Sequence, residues 1–90
     1  MTTKRILVTG QVQGVGFRAF VIHAASILGL DGEVWNRVDG GVEVLVSAET
    51  QGMVDSLVAR LAKGPGTVTA ILVEDSTLET GQGFRIGPTR

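Results

Sequence analysis

The sequence contains no cysteine and only one histidine, His23. Without thiols the chain has no cysteine nucleophile, no thiolate zinc site and no iron–sulfur cluster, and one imidazole excludes any site that needs two. We therefore predict a protein with no metal site and no bound cofactor. The lack of disulfides also means that apolar packing alone must hold the fold, and the hydrophobic content of 43% agrees with that.

An excess of charge of one sign is also missing. Eight Lys and Arg residues stand against nine Asp and Glu residues, which gives a formal net charge of -1. This balance lacks the positive excess that drives binding to the phosphate backbone of nucleic acids. No apolar run approaches the length of a membrane span. We expect a soluble, cytoplasmic monomer with a single domain over residues 1–90 and with neither a nucleic-acid nor a membrane partner.

Glycine is the residue in excess, with 13 in 90 residues, about twice the average usage of roughly 7%. The glycines cluster between segments of regular hydrophobic spacing, which places them in turns. A spacing of two predicts strands, and a spacing of three and four predicts helices. The predicted order is strand Arg5–Val12, helix Phe17–Leu28, strands Leu30–Asn36 and Val42–Ser47, helix Thr50–Ala62, strand Thr67–Glu74 and a short last strand Phe84–Ile86.

Turn residues separate these elements and suggest a fold. Gly29 and Gly64 follow the two helices as stops, and Asp39-Gly40 is the tip of a hairpin between the second and third strands. The order strand, helix, strand, strand, helix, strand is the βαββαβ order of the split βαβ motif. We therefore predict an α+β, ferredoxin-like sandwich, in which two helices cover one face of an antiparallel sheet.

The segment that joins the first strand to the first helix carries the strongest functional signal. A strand that ends in glycines before a helix exposes the unpaired N–H groups of the first helical turn, and the positive end of the helix dipole lies behind them. Arg18 lies in that first turn, where a cation opposes the dipole at a cost of some tenths of a kcal/mol. A bound oxyanion would turn that conflict into cooperation, so the segment is a candidate phosphate site. The plainer interpretation is a tight glycine turn with a solvated arginine.

Asn36 is the second candidate, at the end of the strand before the hairpin. Its amide can both donate to and accept from a water molecule, or it can simply serve the turn. Asp39 is assigned to the turn and His23 to solvent. Trp35 alternates with its neighbours and is expected to pack on the far side of the sheet.

The segment Gly10-Gln11-Val12-Gln13-Gly14-Val15-Gly16-Phe17-Arg18 resembles the acylphosphatase signature, which is Gly, any residue, Val-Gln-Gly-Val, any residue, Phe-Arg. The match extends over nearly the whole chain. Residues that follow the family in order and spacing are Phe20, Ala25, Leu28, Gly29, Leu30, Gly32, Val34, Asn36, Asp39, Gly40, Val42, Glu43, Gly64, Pro65, Gly83 and Phe84. Glu33 and the run Ser47-Ala48-Glu49 depart from the family pattern.

The resemblance implies a small, metal-independent enzyme that hydrolyses acyl phosphates to a carboxylate and inorganic phosphate, with the first and third strands central in its sheet. An acyl phosphate is then the expected small-molecule partner, and inorganic phosphate is a product or competitive inhibitor. The resemblance further implies that Arg18 binds the phosphoryl group and that Asn36 positions the attacking water. It implies a phosphate site formed by the loop Gly14, Val15, Gly16, Phe17 and Arg18, with backbone N–H groups completing it.

Three alternatives remain beside this interpretation. Residues 14–19 also fit the dinucleotide fingerprint, but the chain is too short for a doubly wound sheet, and Glu33 lies too early in its strand to bind a ribose. A non-catalytic ferredoxin-like domain that binds phosphate, a regulatory partner or RNA is the second, although the predicted central strands carry no aromatic residues for RNA. A module of a larger maturation enzyme that processes carbamoyl phosphate shares the signature and is the third.

Overall fold

The computed structural model describes all 90 residues and contains five strands and two helices. Their order confirms the predicted alternation, including the short last strand. The bounds are β1 (Thr2–Gln11), α1 (Phe17–Ile27), β2 (Asp31–Asn36), β3 (Val42–Ala48), α2 (Gln51–Leu61), β4 (Thr67–Asp75) and β5 (Phe84–Ile86). β1 begins earlier than predicted because Thr2 and Thr3 already pair with the end of β3. Neither helix is long and apolar enough to cross a membrane.

The five strands form one sheet in the order β4-β1-β3-β2-β5. β1 and β3 are central, as the resemblance implies. The prediction of an antiparallel sheet is wrong at one edge, where β5 runs parallel to β2, and the sheet is therefore mixed. The reason is that β4 and β5 occupy opposite edges, so the chain between them must cross the end of the sheet before β5 begins. Hydrogen bonds to Thr3, Ser47 and Asp31 hold this crossing segment, residues 76–83, in place.

Both helices cover the same face of the sheet and enclose one core of 16 buried residues. Alternate residues of β1 point into it, with Ile6 and Val8 fully buried. The residues that fill the core from the helices are Phe17, Val21, Ala24 and Ala25 of α1 and Val54, Leu57 and Leu61 of α2. The apolar spacing of both helices thereby faces the core, although Phe20, Leu28, Met53 and Val58 of those faces are only partly buried.

The two predicted helix stops work in different ways. Gly29 has a φ of 68°, in the left-handed region that favours glycine, and it follows the end of α1 as predicted. Gly64 has no positive φ, and α2 already ends at Leu61. A Cβ atom at Gly64 would lie 2.6 Å from Cε2 of Phe17, so this glycine provides space for the first aromatic ring of α1. Gly64 therefore serves both elements, since its N–H also donates to the carbonyl oxygen of Leu61, the last residue of α2, at 3.1 Å.

The face of the sheet away from the helices carries polar and aromatic groups. Trp35 packs there as predicted, with the guanidinium of Arg90 4.1 Å from its ring centre. Glu33, a departure from the family pattern, accepts a hydrogen bond from Arg90 at 3.0 Å. Ser47 lies within 2.9 Å of the hydroxyls of both Thr3 and Thr80. Glu33 and Ser47, two of the residues at which the sequence departs from the family, thus have partners of their own.

Candidate active site

The loop between β1 and α1 adopts a backbone that requires glycine. Gly14 and Gly16 have φ values of 75° and 82°, in the left-handed region, and a Cβ at either would meet open space. A side chain would therefore fit at either position, and it is the left-handed backbone conformation that requires glycine. Gly16 is also the N-cap of α1, where no side chain caps the helix and no acidic residue lies in the first turn. The first N–H groups of α1 have no side-chain acceptor and are free for an anion.

Arg18 lies in that first turn and is half-buried. Its guanidinium makes no hydrogen bond and no ion pair, whereas Arg5, Arg37 and Arg90 each pair with a carboxylate. Arg60 is also unpaired, but it lies in the last turn of α2, where the helix dipole favours a cation. Arg18 is thus an unpaired arginine at the helix end that disfavours its charge.

Asn36 ends β2 with a side-chain oxygen that lacks a partner. Its Oδ1 atom is buried and accepts no hydrogen bond, and no other buried side-chain polar atom in the chain is left in this state. The adjacent turn is closed by Asp39, which accepts from the N–H of Gly41 at 3.2 Å, so the assignment of Asp39 to the turn is confirmed. Because the Asn36 side chain makes no bond within the turn, turn formation does not explain it.

An open cleft of about 160 Å³ brings the two candidates together. It is lined by Val12, Gly14, Gly16, Phe17, Arg18, Ala19, Asn36 and Ile86. All of the predicted site residues therefore line one cleft except Val15, which is 42% exposed. Ala19 and Ile86 are additional lining residues. Ile86 comes from β5, where its pairing with Val34 brings it beside β2.

Gln13 has contacts in this region that the sequence alone does not reveal. Its Nε2 atom donates to the carbonyl oxygens of Arg37 at 2.7 Å and Gly41 at 2.9 Å. These carbonyls belong to the β2–β3 turn, which begins directly after Asn36. The loop on one side of the cleft is thereby tied to the turn on the other side.

A chain of ion pairs also supports the turn. Arg37 donates to Asp39 at 2.8 Å and to the nearly buried Glu43 at 2.6 Å, and Glu43 accepts from Arg5 at 3.2 Å. The hydrogen bonds to Asp39 and then Glu43 raise the pKa of Arg37 above its ordinary value. The hydrogen bond from Arg37 and the N–H of Gly41 lower the pKa of Asp39. The turn therefore keeps its charges in place at neutral pH.

The structure contains no group of three or more His, Cys, Asp or Glu side chains that could hold a metal ion. His23 is exposed on α1, as predicted, and lines no part of the cleft. The charge available in the cleft is the guanidinium of Arg18 together with the start of α1.

The ferredoxin-like sandwich and this cleft define a small α+β protein with an unpaired arginine and an uncapped helix start in one cleft. A family model described as Acylphosphatase matches residues 4–86. The chain belongs to the acylphosphatase family, whose members are enzymes that hydrolyse acyl phosphates.

Individual relatives agree with this family. An acylphosphatase of Koribacter versatilis is 54% identical over 90 residues, which cover 97% of this chain and 81% of that protein. An acylphosphatase of Rhizorhabdus wittichii is 46% identical over 88 residues, which cover 96% of this chain and 88% of that protein. The crystal structure of acylphosphatase from Bacillus subtilis superposes with a TM-score of 0.90 at 41% identity, over 97% of this chain and 99% of that one.

The fold also occurs inside a much longer protein. Full-length HypF, in its phosphate- and nucleotide-bound form, matches 98% of this chain with a TM-score of 0.83 at 26% identity, but the match covers only 12% of HypF. The acylphosphatases above match over most of their own length, and the chain resembles them more closely in sequence.

Proposed function

We propose that Arg18 and the loop ahead of α1 hold the phosphoryl group of an acyl phosphate while Asn36 orients the water that attacks phosphorus. Membership of the family supports acyl phosphate hydrolysis as the reaction. The observation that carries the assignment of residues is the cleft that joins an unpaired arginine to a buried, unpartnered amide oxygen. A cation that opposes the helix dipole and a buried oxygen without a hydrogen bond each lower the stability of the free protein. One bound substrate with its water would give both groups a partner.

The phosphoryl group is the part of the substrate that the cleft would hold. The planar guanidinium of Arg18 can bind two phosphoryl oxygens, and the N–H groups at the start of α1 can bind the others. Phosphoryl transfer through a loose transition state requires alignment and charge stabilisation more than covalent chemistry. An arginine beside a helix N-terminus supplies both, and a nucleophilic side chain is not required.

The role assigned to Asn36 is to orient the attacking water. Its free Oδ1 can accept one hydrogen bond from a water molecule, which turns the lone pairs of that water towards phosphorus. The oxygen of the water then bonds to phosphorus as the bond between phosphorus and the acyl oxygen breaks. The leaving group is a carboxylate, whose acid has an unperturbed pKa of about 4, so it departs without a strong general acid. The products are a carboxylate and inorganic phosphate, and the proton of the water passes to phosphate or solvent.

The test compares three variants for turnover of benzoyl phosphate in excess chelator and for binding of inorganic phosphate. Arg18→Gln should lose both, because the same contact serves substrate and product. Asn36→Ala should keep phosphate affinity near wild type while kcat falls by about 100-fold, the effect of losing one aligned polar group worth roughly 3 kcal/mol. Arg60→Gln, which removes the other unpaired arginine, is the matched control and should retain both properties.

Thermal unfolding with phosphate gives a readout that is independent of turnover. A ligand at 100 times its Kd adds about 2.7 kcal/mol to the free energy of unfolding. Phosphate should therefore raise the Tm of the wild type, Asn36→Ala and Arg60→Gln, and leave that of Arg18→Gln almost unchanged. An equal rise in Arg18→Gln would remove Arg18 from the phosphate site, and full activity of Asn36→Ala would remove Asn36 from the reaction. Phosphate binding by the wild type without turnover of benzoyl phosphate would favour a non-catalytic phosphate-binding domain.

A further inference from the structure

The side-chain amide of Gln13 joins the two segments that carry the proposed phosphate-binding and water-positioning groups. Both of its hydrogens are used, because Nε2 donates to the carbonyl oxygens of Arg37 at 2.7 Å and Gly41 at 2.9 Å. Those two residues are also the ends of the turn, which closes through a bond of 2.8 Å from the N–H of Arg37 to the carbonyl of Gly41. Gln13 therefore clamps the base of the turn from the phosphate-binding loop.

This clamp is the sole polar link between the loop, residues 12–16, and the turn, residues 36–41. No other hydrogen bond and no ion pair joins the two segments. The loop itself is fixed on the other side by Val12, which is 1% exposed in the core. One side chain whose backbone is anchored thus spans the separation of loop and turn, while the pairing of Asn36 with Val42 and the ion pair of Arg37 with Glu43 hold the turn on the sheet.

The position of the Asn36 amide depends on the separation of loop and turn, because no hydrogen bond holds its side chain directly. Its Oδ1 has no partner in the protein, so the position of the amide follows the backbone at the end of β2. Arg37, the next residue, gives its carbonyl oxygen to Gln13. A movement of the turn away from the loop would carry Asn36 away from the phosphoryl group held at Arg18.

We propose that Gln13 is a positioning residue for hydrolysis: its two hydrogen bonds set the distance between the phosphate-binding loop and the Asn36 amide, and so align the attacking water. The inference rests on the proposed function. In-line attack needs the water, phosphorus and the leaving oxygen aligned, and a misplacement of about 1 Å can cost up to about 100-fold in rate. Gln13 touches neither substrate nor water in this role, and it acts through Asn36.

Gln13→Met tests the role because it preserves the length of the side chain and removes both donors. We expect kcat for benzoyl phosphate to fall by about ten-fold, while the affinity for inorganic phosphate stays close to wild type, because the loop and Arg18 remain. Gln11→Met is the matched control, since it makes the same exchange at an exposed glutamine of β1. It should retain wild-type kcat and phosphate affinity. Wild-type kcat in Gln13→Met would overturn the inference.

A double-mutant cycle separates positioning of Asn36 from a general structural effect. If Gln13 acts through Asn36, adding Gln13→Met to Asn36→Ala should lower kcat no further. A full additional ten-fold loss in the double variant would overturn the inference, because the two residues would then act independently. Should Gln13→Met not fold, nuclear magnetic resonance on the wild type remains decisive. The Gln13 amide hydrogens should exchange slowly and show couplings to the carbonyl carbons of Arg37 and Gly41, and fast exchange without couplings would overturn the clamp.

The outcomes also distinguish this inference from the proposed function. Wild-type turnover by Gln13→Met, with Asn36→Ala impaired, overturns the role of Gln13 and leaves the proposed function intact. Wild-type turnover by Asn36→Ala overturns the assigned role of Asn36 and the inference with it. A loss in Gln13→Met that vanishes in the Asn36→Ala background supports both.

Discussion

Arg18 lines the cleft and Arg37 lies in the turn directly after Asn36, and the two arginines differ in their partners. Arg37 donates to Asp39 and to the nearly buried Glu43, so its charge is neutralised within the turn. Arg18 has no partner and lies at the helix end where the dipole opposes it. The paired arginine supports the shape of the turn, whereas for the unpaired one in an unfavourable field we propose a ligand as the partner. The two arginines therefore differ in their partners and not in residue type.

The largest effect is expected from the backbone of the loop beside Arg18. Gly14→Val should abolish phosphate binding and reduce turnover of benzoyl phosphate by about 100-fold or more, because valine disfavours a φ of 75° and would redirect the N–H groups. The chain should still fold, since a Cβ at Gly14 meets open space. Gly81→Val, at an exposed glycine without a positive φ, is the control and should behave as wild type. Calorimetric phosphate binding by Gly14→Val at wild-type affinity would refute the loop assignment.

The second effect concerns stability without phosphate, where the two arginines should respond with opposite signs. Arg18→Gln should leave the free energy of unfolding unchanged or raise it by up to about 1 kcal/mol, because a charge that opposes the dipole of α1 is removed. Arg37→Gln should lower the Tm, because Glu43 loses its shorter ion pair, at 2.6 Å, while its carboxylate stays only 9% exposed. Thermal unfolding of both variants in phosphate-free buffer checks this. A clear loss of stability in Arg18→Gln would assign that arginine a structural role.

The smallest effect is expected from acid acting on the turn. The pKa of Asp39 is lowered in the folded state, mainly by its hydrogen bond with Arg37, so its contribution is present above the ordinary carboxyl range and is lost as the pH falls through the folded pKa. The Tm of the wild type should therefore exceed that of Asp39→Asn at pH 7, and the difference should shrink below about pH 4. Because Asp39 is exposed, salt should reduce the difference as well. A difference in Tm that grows in acid would contradict the assigned direction.

Much of the fold could be predicted because local patterns agree with one another. The alternation in β1 and the apolar faces of α1 and α2 match the buried residues, and the positive φ of Gly29 matches its place after α1. The direction of β5 could not be predicted, since three residues carry no signal of which strand they pair with. Gly64 follows α2 as predicted and donates to the carbonyl oxygen of Leu61, but the space that it leaves for the ring of Phe17 is a contact between distant residues, which leaves no local pattern.

The site was predicted unevenly. Arg18 and Asn36 were identified from a helix start and a strand end, and the structure brings both into one cleft. Their assigned roles stay predictions, as do the monomeric state and the cytoplasmic location. The resemblance places Val15 in the phosphate-binding loop, but Val15 does not line the cleft, and it implies no role for Gln13, which belongs to the signature. A side chain that donates to backbone carbonyls more than 20 residues away cannot be distinguished in sequence from one that faces solvent.

The order of residues along the chain determines what depends on near neighbours: the periods of strands and helices, the glycine backbone at Gly14 and Gly16, and an arginine in a helix turn that disfavours it. These follow from steric limits on φ and from the dipole of a single helix. The tertiary structure alone decided which polar groups remain without partners. Arg18 is free because carboxylates lie elsewhere, and the oxygen of Asn36 is free because the turn uses Asp39 in its place. Whether a group is satisfied depends on every residue that the fold brings near it, and so the chemistry of the cleft emerges only when distant segments meet.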